Sequence, residues 1–157
     1  MNIEFIVVGK TDAAEIERLF EGYAKRVNHY CKFVVTTLPD IRGNKSLSPK
    51  QQRMAEGEAI LRQLNDSDYV TLLDERGAQY RSVEFAQWIQ KRLNSGVKRL
   101  VFVVGGAFGF SDEVYARAHS KISLSPMTFT HQFVRVIFAE QIYRAFTILR
   151  NEPYHNE

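Results

Sequence analysis

Two groups of residues in this sequence have types and spacings suited to chemistry. The first lies in "RLVFVVGGAFGFSDEV", Arg99 to Val114, where an apolar run ends at Gly105 and Gly106, Gly109 follows, and Ser111 opens a helical pattern. Glycine has no Cβ, so at such a point the backbone either takes positive φ or lets a ligand approach its N–H groups closely. The second group lies in "HQFVRVIFAEQIYRAFTILR" and the tail "RNEPYHNE". His131 and Arg135 stand one helical turn apart, as do Glu140 and Arg144, the latter in the favourable acid-then-base order. Arg135 shares a helix face with Ile142 and Phe146, and a buried arginine is costly unless it has a task. Tyr154 and His155 add rings able to stack on an exposed base. A ligand cradle and a set of proton-transfer or anion-stabilising groups are the chemistry on offer.

The glycine spacing narrows the ligand. A dinucleotide fingerprint needs glycines at relative positions 0, 2 and 5, whereas these fall at 0, 1 and 4, and there is no phosphate-loop lysine. An NAD-dependent enzyme is disfavoured accordingly. Two further apolar runs end in "LLDERG" and "SLSPMTFTHQ". From Ser125 to Thr130 there is no charge, and the residue before Pro126 is biased away from helix. Uncharged small and apolar residues suit an adenine ring and ribose better than phosphates. Three such ends together point to a nucleoside-type cofactor lacking a polyphosphate.

Elements that must position these groups are legible in the periodicity. "NIEFIVVG" (2–9) reads as a strand, then "DAAEIERLFEGYAKRVNHY" carries the i, i+3, i+4 pattern of a helix, with Asp12 and Glu15 as its capping pair. "KFVVTTL" (32–38) is a β-branched strand. Ser48, Pro49 and Gln51 mark a helix start that runs to about Leu64. "DYVTLLD" (68–74) is a strand closed by the turn "ERG", and 82–94 is a helix ended by Gly96. Strands at 98–104 and 121–125 flank a short helix capped by Ser111 and reaching about His119, and a last helix runs from Thr130 to about Leu149. This alternation predicts an α/β fold with a mostly parallel sheet and helices on both faces, in a single domain over 1–157. The last helix is apolar nearly all round, which predicts burial against both its own sheet and a second copy, in a homodimer.

Composition bounds the class. The chain has 157 residues, 45% hydrophobic and 25% charged, as expected of one globular domain. Its net charge of +3 means that any affinity for nucleic acid must come from clustering, and Arg42, Lys45, Lys50 and Arg53 supply a cluster against Asp40. The lone Cys31 excludes an intrachain disulfide framework and the common zinc spacings. No apolar run approaches the about 20 residues of a membrane span, and no secretory signal is visible, so the sequence reads as cytoplasmic and without metal or membrane partners.

"FVVGGAFGFS", "LSPMTFTHQFVRVIFAEQIYRAF" and the ending "PYHNE" resemble the small bacterial SPOUT-class methyltransferases that methylate N3 of a pseudouridine in large-subunit ribosomal RNA. The resemblance covers essentially the whole chain. It implies a SPOUT-type fold with a carboxyl-terminal trefoil knot (a departure from the rule that chains do not thread loops), S-adenosyl-L-methionine bound in the knot, an obligate homodimer, and large-subunit ribosomal RNA in assembled ribosomes as substrate. Carried over by position, the cofactor pocket uses Leu73, Gly105, and the run Leu124, Ser125, Pro126, Met127, Thr128 and Phe129. The catalytic set is Tyr154, holding the base from the partner subunit's side; His155, Glu140 and His131 as candidate bases; and Arg135 or Arg144 to stabilise the anion formed when the imide proton leaves. Two positions depart from the pattern: Thr130 stands where relatives often carry proline, and Asn156 where a basic residue commonly follows Tyr-His. A transfer-RNA methyltransferase of the same class and a non-enzymatic ribosome assembly factor are the alternative readings.

Overall fold

A computed structural model describes residues 1–41 and 46–157. Five strands, β1 (Asn2–Val8), β2 (Phe33–Leu38), β3 (Tyr69–Gln79), β4 (Arg99–Val104) and β5 (Ser120–Ser123), form one sheet in the order β2-β1-β4-β3-β5. Every pairing is parallel, so the expected mostly parallel sheet is parallel throughout. The helices are α1 (Ala14–Val27), α2 (Pro49–Leu61), α3 (Ser82–Asn94), α4 (Asp112–Arg117) and α5 (Phe133–Leu149).

Period-2 alternation along the strands creates two cores. Ile3, Phe5, Leu100, Phe102 and Val104 face α1, α3 and α5, where the Phe138 ring lies 4.4 Å from Phe5 and 4.8 Å from Phe102. Ile6, Val70, Leu72, Val101 and Val103 face α2 and α4 through Ile60 and Val114. Each fully buried side chain of this kind contributes about 1.5–3 kcal/mol relative to an exposed one. Helices therefore cover both faces, and α5 packs between α1 and α3.

Local signals mostly hold. Ser48 Oγ accepts from Gln51 N at 3.2 Å and Gln51 Oε1 from Ser48 N at 2.8 Å, with Pro49 in the first helical turn. Ser111 caps α4, and Gly96 ends α3 at φ +80°. Asp12 does not cap α1: that helix begins at Ala14, and the Asp12 N–H instead donates to Gln132 Oε1 at 2.9 Å. The "ERG" turn is also absent. β3 runs on to Gln79 through a register shift, so Ile122 of β5 pairs with Leu73 on one side of the break and Ala78 on the other.

Candidate active site

The ends of β3, β4 and β5 converge on one cleft of about 480 Å³. Its lining includes Leu73, Gly105 and the whole run Leu124 to Phe129, together with His131 at the entry to α5. Ser125 shapes that run: its Oγ accepts from Met127 N at 2.9 Å and its carbonyl accepts from Ser123 Oγ at 3.1 Å. Thr130 stops it, because its Oγ1 accepts from Phe133 N at 3.1 Å and so serves the amino end of α5. Asp74 and Glu75 bring carboxylates to the cleft, and among the described residues Arg76 is the only lysine or arginine in its lining.

Gly105 and Gly106 let neighbouring groups come close to their backbone. A Cβ on Gly105 would press the Phe110 ring at 3.1 Å, and one on Gly106 would meet the Glu56 carboxylate at 2.5 Å. Of the three, only Gly109 takes positive φ, at +76°. The absent side chains thus let α2 and Phe110 pack under the loop, a closeness that neither a phosphate cradle nor a left-handed turn at Gly105 explains. Glu56 and Gly57 belong to the buried face of α2, Gln52–Glu56–Gly57–Ile60, which holds a single large apolar residue. A search for apolar periodicity passes over such a face; a carboxylate beside a mid-helix glycine was the available signal.

At the other end of α5 the tail folds back. Glu140 Oε1 accepts from Arg144 Nε at 3.1 Å, from an Arg144 terminal nitrogen at 2.5 Å and from the Tyr154 hydroxyl at 2.9 Å. Gln141 donates to its other oxygen at 2.9 Å. The Arg144 guanidinium lies 4.8 Å from the Tyr154 ring, which stands edge-on to Tyr143 at 4.7 Å. Burial first, and then the Glu140 and Tyr23 hydrogen bonds, push the Tyr154 phenol well above its ordinary value, so it is a donor at neutral pH. The bond to Glu140 likewise raises Arg144. Arg144 also contacts His155 Nδ1 at 3.1 Å. A guanidinium only donates, so Nδ1 accepts and a neutral His155 carries its proton on Nε2.

Thus Glu140, Arg144, Tyr154 and His155 form one cluster, and His131 joins the cleft instead. Ten residues of helix separate Val134, in the cleft lining, from Arg144, a span of about 15 Å. Arg135 belongs to neither group. It is 3% exposed, and its guanidinium donates to Val8 O at 2.9 Å and Thr11 Oγ1 at 3.0 Å, tying α5 to the end of β1. Of the basic cluster, Lys50 and Arg53 lie in α2, while Arg42 and Lys45 fall outside the described residues. Tyr115 was not anticipated: its hydroxyl donates to Asp74 on the cleft wall, and burial together with that bond raises it to about 12.

A family model described as a predicted SPOUT methyltransferase matches residues 1–155. Proteins named ribosomal RNA large subunit methyltransferase H are similar over the full length. That of Christiangramia forsetii is 55% identical over 156 residues, 99% of each chain. Those of Flavobacterium johnsoniae and Parabacteroides distasonis are each 52% identical over 157 residues, all of both chains. The chain belongs to the SPOUT methyltransferase family. The cleft reaches α5 at Val134, and the Glu140–Arg144 pair stands farther along the same helix, with Tyr154 and His155 of the tail folded back on it. Among the described residues the chain has no group of three or more His, Cys, Asp or Glu placed to hold a metal, and no helix long and apolar enough to cross a membrane.

Proposed function

We propose that this SPOUT methyltransferase transfers a methyl group from S-adenosyl-L-methionine to N3 of a pseudouridine in large-subunit ribosomal RNA, acting as a homodimer. The observation that carries the reading is the convergence of Leu73, Gly105 and Leu124–Phe129 on one cleft. The residues there fit the donor: the cleft is of small-molecule size, its loop from Leu124 to Phe129 is uncharged, and carboxylates rather than phosphate-binding lysines stand at its edge. When bound, S-adenosyl-L-methionine supplies a methyl group already activated by its sulfonium. The names of the relatives support ribosomal RNA as acceptor.

The chain's own side chains then have three tasks. Backbone and apolar groups of the three strand ends orient the donor, and such alignment is worth on the order of 7–11 kcal/mol in well-oriented systems. Tyr154, held by Glu140 and flanked by Arg144, packs against the target base. Arg144 and the Nε2–H of His155 donate to the anion left when the N3 proton passes to solvent water, and the sulfonium that gives up its methyl group leaves as a neutral thioether. Among the described residues His155 Nε2 is buried without a partner in one protomer, which leaves that donor for an acceptor supplied from outside.

The second copy answers the separation along α5. Val134, Ile137, Gln141, Arg144 and Ile148 form a stripe at helical spacing that remains half-buried in one chain. Two such stripes packed antiparallel about a two-fold axis would set the tail cluster of one protomer opposite the cleft of the other. Tyr154→Ala and His155→Ala should keep donor affinity in isothermal titration, while transfer to large ribosomal subunits falls about 100-fold or more. Wild-type turnover in both variants removes the tail from the mechanism, and preferential methylation of purified transfer RNA reassigns the acceptor.

A further inference from the structure

A second cleft, of about 540 Å³, lies beside the first, between α2, α4 and the start of β5. Arg76, Phe108, Gly109, Phe110 and Tyr115 line both clefts, so their occupants would be neighbours across one thin wall. The second cleft gathers the side chains of Arg53, Arg76 and Lys121 against one carboxylate, Asp112. Among the described residues, none of the three cations forms an ion pair. Asp74, two residues before Arg76, is occupied otherwise: it accepts the Tyr115 hydroxyl on one oxygen and the Arg76 backbone N–H, at 2.8 Å, on the other. Lys121 is steered by the Tyr115 ring, 5.6 Å away.

Three like charges in one concavity repel each other unless an anion joins them. Phe108 is 44% exposed at the rim, a flat apolar face beside those charges. Cations that track a backbone next to an exposed ring are the recurring device for holding single-stranded nucleic acid. Resting on the functional reading above, we infer that this cleft holds phosphodiester groups of the RNA strand adjacent to the target base, with Phe108 stacking on a flanking base.

Arg53→Gln and Lys121→Gln, singly and together, test this without touching the donor cleft. Affinity for ribosomal RNA, measured by filter binding across a salt series, should fall, and the slope of log K against log salt should flatten by about 0.7–0.9 per cation removed. KM for the RNA should rise several-fold with kcat retained, while S-adenosyl-L-methionine affinity stays at wild type. Inorganic phosphate, as the competing small anion, should not displace RNA at millimolar concentration. Wild-type salt slopes and KM in the double variant, or ready displacement by inorganic phosphate, overturn the inference while leaving the methyltransferase reading standing. A wild-type protein that neither binds nor methylates large-subunit RNA overturns both.

Discussion

The register break in β3 makes Gly77 the position where one methyl group should do the most harm. An added Cβ would lie 2.5 Å from Ile122 N and 2.6 Å from the carbonyl carbons of Ile122 and Lys121. These are backbone atoms, so no rotamer change relieves the contact; β3 and β5 must part by about 0.9 Å to restore an ordinary 3.4 Å approach. Overpacking of this kind costs about 1–3 kcal/mol, which for a chain of this size lowers Tm by about 2–12 °C. The displacement passes directly into Ser123 and Leu124, so donor affinity should weaken in the same variant. Gly22 is the internal control. It lies in α1 with nothing within 4 Å of its missing Cβ, and alanine there should stabilise by about 0.4–1 kcal/mol. Circular-dichroism melts of Gly77→Ala and Gly22→Ala should therefore move in opposite directions. A Gly77→Ala protein melting at or above wild type would refute the argument from backbone contact.

Two further expectations concern charge. Arg99 at the start of β4 bonds Glu4 and Asp68 and donates to Gln63 O at 3.1 Å; the Asp68 side chain is 1% exposed and that of Glu4 12%. Arg99→Ala strands two buried carboxylates and should cost about 3–5 kcal/mol in urea unfolding, with Glu4→Gln and Asp68→Asn added to it recovering part of the loss; a cost under about 1 kcal/mol would contradict this. His119 Nδ1 accepts the Val70 N–H at 3.0 Å, and burial first, then Arg117, lowers its pKa below the ordinary 6.5. The folded state thus favours neutral imidazole, whose stabilising effect is complete above pH 6.5 and is lost as pH falls through the depressed value. His119→Asn should lose less Tm than wild type between pH 7 and 5; an equal loss would show that another group governs that window.

Most of the scaffold was legible because its signals are local. Caps such as Ser48 with Gln51, and alternation such as Ile3–Phe5–Val7 against Ile6, depend on neighbours within a few residues. What escaped depends on residues far apart in sequence. "ERG" has the chemistry of a turn, yet Gly77 lets β3 pass beside β5. Asp12 has the chemistry of a cap, yet Gln132, distant in sequence, takes its N–H. The site divides in the same way. The strand-end positions followed from topology, whereas Arg135 has the isolation of a functional arginine but spends its donors on Val8 and Thr11. Glu56 escaped because its face of α2 is polar and small, and the need for it appears only once Gly106 sits against it.

On the proposed reading, the two clefts would let a cationic donor and a polyanionic acceptor share one small domain. A sulfonium is destabilised by nearby cations, and RNA phosphates by nearby carboxylates, so a single undivided pocket would serve one ligand at the expense of the other. Here Asp74 and Glu75 line the first cleft and Arg53 and Lys121 the second. On the dividing wall, Tyr115 binds Asp74 through its hydroxyl and faces Lys121 with its ring, keeping carboxylate and ammonium oriented to their own sides. Arg76 is the exception, lining both clefts. Its backbone N–H is spent on Asp74 while its side chain is exposed and in no ion pair among the described residues, so it is free to turn toward the second cleft. On that reading, the chemistry of the reaction, and not only the shape of its substrates, would account for the uneven distribution of charged residues around the glycine loop.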